Sequence, residues 1–184
     1  GDFDFLAPGG RRLGSMTQEF RFLAPGALRI VETRVTIRAS QGEAIHLGDT
    51  EEAGLALRMR DEFREDRGAV LTNADGLKGA KGIWGKRARW VDYSTVVQGA
   101  PLGVTLIDHP SNPRHPTFWH ARNYAFCVAN AFGERSFTKD PARDGAIVIP
   151  AGGNLTFRHR VVIHPGSLVP SDASRWAEEF AKER

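Results

Sequence analysis

Turn signals recur along the whole chain. They fall at Pro8-Gly9-Gly10, Pro25-Gly26, Gly48-Asp49, Asp75-Gly76, Gly99, Asp144-Gly145 and Gly152-Gly153. Between them lie short segments rich in β-branched and aromatic residues. Such a rhythm predicts many short antiparallel strands. The strands can be read face by face. Arg29, Val31, Thr33, Val35 and Ile37 share one side of the segment 28–38. Leu55, Leu57 and Met59 alternate with Ala56, Arg58 and Arg60. Leu102, Val104 and Leu106 share a face, as do Phe157, His159, Val161 and Ile163. Period-two patterns of this kind mark half-buried strands. The expected fold is an all-β antiparallel sandwich with one C-terminal helix. For the helix, Pro170 precedes Ser171, read as the N-cap, and Ala173, Trp176, Ala177 and Phe180 keep helical spacing. Trp176 and Phe180 would pin it to the sandwich. Glu178, Glu179, Lys182 and Arg184 form its solvated face.

The 184 residues suit a single domain, with 1–169 as the sandwich and 170–184 as the helix. No internal repeat or linker divides it. No run approaches the roughly 20 apolar residues that a membrane helix needs, and no leader is visible. A membrane partner is not expected, and the cytoplasm is favoured over secretion. The chain opens on Gly1 and not Met, so the missing leader says little about compartment. Cys127 is the only cysteine, which excludes an internal disulfide and a thiolate zinc site. It reads as a small buried residue. The net charge of +3 comes from arginines interspersed with acids, which suits acidic sugars or phosphates and is weak support for nucleic acid. The expected partner is a small molecule or oligosaccharide, with no nucleic acid and no cofactor. An exposed sandwich edge would also allow a homodimer.

The segment 107–124 carries the most chemistry. His109, His115 and His120, half of the six histidines, fall within twelve residues. Pro110, Pro113 and Pro116 fix the backbone between them and exclude a central strand or a helix. A stiff loop is expected from a strand ending near Ile107 to one beginning near Phe118. Such a loop holds side chains in place at low entropic cost. In the strand that follows, His120, Arg122, Tyr124, Phe126 and Val128 point one way, and Trp119, Ala121, Asn123, Ala125 and Cys127 the other. An imidazole, a guanidinium and a phenol in succession can bond hydroxyls and carboxylates and stack a sugar ring. The bland alternative is a polar strand end in solvent. A metal held by His109, His115 and His120, with Asp108 or Glu52, is a second alternative. His46, His159 and His164 read as structural or exposed.

Two further segments complete the candidates. Asp49, Glu51 and Glu52 crowd a tight turn, where neighbouring acids raise one another's pKa. Glu52 is the choice for a catalytic carboxylate, against the plain reading of a solvated turn. In 84–93, alternation puts Trp84, Lys86, Ala88, Trp90 and Asp92 on one face and Arg87, Arg89, Val91 and Tyr93 on the other. Trp90 and Arg87 suit a sugar platform, or equally a core and its edge. Asn73, Asp75 and Gly76 read as a turn.

At these residues the chain resembles the family labelled "methane oxygenase PmoA-like". The matching residues are Gly48-Asp49-Thr50, Glu52, 84–88, 90–93, His109-Pro110, Asn112, Arg114-His115-Pro116, Trp119-His120, Arg122, Asn130, Phe132-Gly133 and 160–164. The methane label is at odds with a chain that has no spanning helices. The resemblance implies a galactose-mutarotase-like supersandwich and a place in carbohydrate catabolism. It also implies an upstream segment with paired histidines and an arginine, ending about where this chain begins. The expected function is therefore carbohydrate-active or carbohydrate-binding. In the enzyme version His120 or His115 is the acid/base and Glu52 its partner. Arg122 or Arg114 holds a carboxylate or oxyanion. His109, Asn112, Arg114, Trp119, Tyr124, Trp90 and Arg87 bind substrate, with Tyr124 or Trp119 stacking the ring. The chemistries that fit are mutarotation, isomerisation and lyase cleavage. The alternatives are a non-catalytic sugar-binding or assembly module, and a metal-dependent enzyme.

Overall fold

The computed structural model describes residues 1–183; Arg184, expected on the solvated helix face, lies outside them. Seven antiparallel strands form the large sheet, in the order β1 (Asp2–Leu6), β2 (Arg12–Leu23), β3 (Arg29–Ala39), β12 (Asn154–Pro165), β8 (Ala100–Asp108), β7 (Trp90–Val97) and β6 (Val70–Asn73). A three-stranded sheet runs β5 (Leu55–Arg58), β10 (Phe126–Asn130), β9 (Phe118–Arg122), and β4 (Ile45–Leu47) pairs with β11 (Ile147–Ile149). The described residues also form three α-helices, α1 (Gly79–Ile83), α2 (Glu134–Thr138) and α3 (Pro170–Ala181), and two short 3₁₀ turns at Asp61–Phe63 and Glu65–Arg67. The fold is the expected all-β sandwich with a C-terminal helix.

The alternation read from the sequence sets the layers. Val31, Val104, Leu106, Val161 and Ile163 on the large sheet meet Leu55, Leu57, Trp119, Ala121, Cys127 and Ala129 on the small one. Cys127 is fully buried there, and burial pushes its thiol up to about 12, so it stays protonated. The opposite face of the large sheet presents Ile30, Trp90, Ile107 and Val162 to Ala173, Trp176, Ala177 and Phe180 of α3. The central strands β3, β12, β8 and β7 thus bury one set of side chains between the sheets and another under the helix. The tight β7–β8 hairpin turns on Gln98 and Gly99 at φ 51° and 82°, the left-handed pair that a two-residue hairpin of right-handed twist requires.

Three local expectations are corrected. Helix α3 starts at Pro170 with Val169 as its cap residue, not at Ser171. Proline lacks the N–H that a cap would have to satisfy, and its φ is preset for the first turn. The segment 118–128 is not one strand but the β9–β10 hairpin, reversing at Asn123–Ala125 with Ala125 at φ 61° and Phe126 opposite Arg122. Trp84 follows a short helix, so strand alternation applies only from Trp90 onward. Among the described residues no helix is long and apolar enough to cross a membrane.

Phe180 is 1% exposed and meets both the large sheet and the His109 ring, at 4.8 Å between centroids. Phe180→Ala is expected to destabilise the fold by about 3–5 kcal/mol. A urea melt of the variant against the parent measures this.

Candidate functional site

The inward face of β8 runs Leu102, Val104, Leu106 and then Asp108, an acid where the pattern calls for an apolar residue. Its side chain is 1% exposed. Three donors surround it. Oδ1 accepts from Asn112 Nδ2 at 2.7 Å, and Oδ2 accepts from the Thr117 N–H at 2.9 Å and from His115 Nδ1 at 2.8 Å. The stiff loop 109–117 is therefore wound around one carboxylate.

The other loop residues fasten it to its surroundings. The Asn112 amide pairs with the main chain of Arg158 on β12, donating at 2.6 Å and accepting at 2.7 Å. His109 accepts the Ser111 N–H on Nδ1 at 3.0 Å, which leaves Nε2–H to donate to the Phe180 carbonyl at 3.1 Å. Burial, helped by the Arg158 charge, holds the His109 pKa below the usual imidazole value. Arg114 sits at φ 60° and donates to the carbonyls of Ala131 at 2.7 Å and Ala146 at 3.0 Å. Arg87 holds the carbonyls of Arg114 and Pro116 at 2.7 and 2.9 Å, pairs with Glu134 and covers the Phe118 ring.

Two imidazoles flank Asp108. His115 donates from Nδ1, so its Nε2 carries a lone pair; that atom has no hydrogen-bond partner among the described residues, and the side chain is 18% exposed. His159 Nε2 lies 3.7 Å from Oδ1. Burial lowers the His159 pKa to about 4, so this ring is neutral at neutral pH. His159 also lines a cavity of about 290 Å³ between the layers, together with Gln18, Phe20, Thr33, Phe132 and Phe157. Thr33 Oγ1 is buried and has no partner among the described residues.

The remaining sequence candidates lie elsewhere. His120 is 1% exposed, bonds the Glu51 carbonyl through Nδ1 at 2.9 Å and is ringed by Trp84, Phe126 and Phe137. Glu52 is exposed on its turn. Trp119 and Trp90 are fully buried, Trp119 donating to the Ala88 carbonyl at 2.8 Å and Trp90 lying under α3. Arg122 and Tyr124 stand together on the outer side of the small sheet. His109, His115 and His120 have three separate anchors, and among the described residues no three potential ligands are grouped to hold a metal ion.

The profile of one family covers residues 2–178. The chain belongs to a family of unknown function, DUF6807. No curated protein and no solved structure is matched by the chain.

Sequence reasoning passed over Asp108, except as a metal ligand, and passed over Thr33 and His159 as cavity residues. The signal for all three was the alternation itself, which placed each on an inward face. A polar residue on such a face is buried and needs a partner.

Asp108→Ala strands three donors, each costing about 1–3 kcal/mol when buried unpaired. A loss of several kcal/mol is expected in a denaturant melt, with hydrogen exchange rising first in residues 109–117. Acid acts on the same cluster. His159 and His109 have folded pKa values below the ordinary 6.5, that of His159 at about 4. Below pH 6.5 the unfolded chain takes up protons that the folded one refuses, so their stability contribution is lost as pH falls towards 4. Melting temperatures measured from pH 7 down to 4 are expected to drop, and less steeply in His159→Gln.

Proposed function

We propose that this domain binds a carbohydrate in the cavity between its layers. The observation that carries the reading is the lining. Phe20, Phe132 and Phe157 offer apolar walls, while Gln18, Thr33 and His159 offer a few polar groups at fixed places. A sugar ring has apolar C–H faces and a polar rim, and a mostly apolar pocket with few convergent polar groups suits it. The Thr33 hydroxyl has no partner in the free protein. A ligand hydroxyl would relieve that cost. The resemblance to mutarotase-like supersandwiches points to the same class of ligand.

Isothermal titration against a panel of neutral mono- and disaccharides tests the binding reading. At least one sugar is expected to bind, and Thr33→Val to weaken it by up to about tenfold, the worth of one hydrogen bond. No binding by any member sinks the reading.

A further inference from the structure

The outer face of the three-stranded sheet has a different chemistry from the cavity. Strand register places Arg58 of β5 and Arg122 of β9 on either side of Phe126 of β10, in one cross-strand row. Tyr124, in the hairpin turn, stacks on Phe126 with the rings 13° apart and their centroids at 6.2 Å. The Arg58 guanidinium lies 5.0 Å from the Tyr124 centroid and 5.2 Å from that of Phe126. That of Arg122 lies 5.5 Å from Tyr124. Arg58 also donates to the Tyr124 carbonyl at 3.0 Å. Two cations are thus held in place by a pair of aromatic rings.

Neither guanidinium has a carboxylate within ion-pair reach among the described residues. Arginines close by in the sequence do: Arg60 pairs with Glu62, Arg64 with Asp66 and Arg67 with Asp61. Beside Arg122 a depression of about 330 Å³ adds Lys81 and Asn123, with Glu65 as its one acid. The Glu65 carboxylate accepts the Ala80 N–H at 3.1 Å. Like charges gathered in one row repel, and neither arginine is ion-paired among the described residues. The row is poised to take acid groups from outside.

Geometry narrows the ligand. A guanidinium forks onto a carboxylate with two parallel hydrogen bonds. Arg58 and Arg122 are two strand spacings apart, roughly 10 Å, which suits two acid groups on one extended chain. Bases of nucleic acid need free aromatic faces to stack on, and here guanidiniums already lie over Tyr124 and Phe126. We propose that the outer face of the β5–β10–β9 sheet binds an acidic oligosaccharide, with Arg58 and Arg122 each taking a carboxylate. This surface is on the opposite side of the sheet from the cavity and does not depend on what fills the cavity.

Affinity electrophoresis of the full chain in gels containing polygalacturonate tests the proposal. Retardation is expected, with none in a dextran gel. Arg58→Ala with Arg122→Ala is expected to weaken it at least tenfold. Arg89→Ala with Arg135→Ala removes the same charge from elsewhere and is expected to leave it unchanged, as is Thr33→Val in the cavity. Arg58→Lys with Arg122→Lys keeps the charges but not the forks, and is expected to fall between, with a melting temperature near the parent's. The proposal is overturned by absent retardation or by equal loss in the two alanine pairs. It is also overturned by an unchanged lysine pair, or by oligothymidylate binding more tightly than polygalacturonate.

Discussion

The fold around the candidate site depends on one buried carboxylate. A charge removed from water is costly unless it is fully hydrogen-bonded. Asp108 meets that cost with donors from three places in one loop: an amide at Asn112, an imidazole at His115 and a backbone N–H at Thr117. Because those donors are spread along the loop, its course is determined from end to end. Asn112 carries the constraint onward to β12, and His109 carries it to the end of α3. The loop, the large sheet and the C-terminal helix are therefore one hydrogen-bonded unit. The left-handed backbone at Arg114 belongs to the same unit, since its side chain is held by carbonyls from the ends of β10 and β11.

That constraint explains why three histidines so close in sequence do three different things. His109 is locked with both nitrogens bonded. His115 has one nitrogen bonded and one unpaired. His120, on the far strand, is turned into an aromatic shell. A second buried pair shows the same economy under α3. His164 donates to Asp92, which also accepts from Ser94 and Thr105, and the carboxylate holds the His164 pKa above its ordinary value despite the desolvation that pulls it down. Buried imidazoles in this protein are read correctly only through the group that each one touches.

Much of the architecture was legible in the sequence because alternation is a local property. Val31 and Val161 could be placed on inward faces, and Phe180 against the sandwich, without knowing their partners. The same reasoning failed where the chain reverses. Asn123 to Ala125 carry no glycine or proline, so the hairpin at Ala125 left Asn123 as its one turn signal and the two strands read as one. The site was less legible still, because side-chain partners are non-local. The carbonyl of Glu51 that takes His120 is 69 residues away, and nothing near His120 announces it.

The two sides of the small sheet differ in a way that bears on what each can bind. Inward, Leu55 closes a cavity whose one imidazole is neutral at physiological pH, because His159 lies too deep to be charged. An anion entering there would lose its hydration without gaining a cation, so an uncharged ligand is favoured. Outward, at the end of β5, Arg58 begins a row of fixed positive charge in contact with water. An uncharged ligand gains little there, while an acidic one gains a fork at each arginine. Strand alternation thus separates an uncharged cavity from a cationic surface across the thickness of a single sheet.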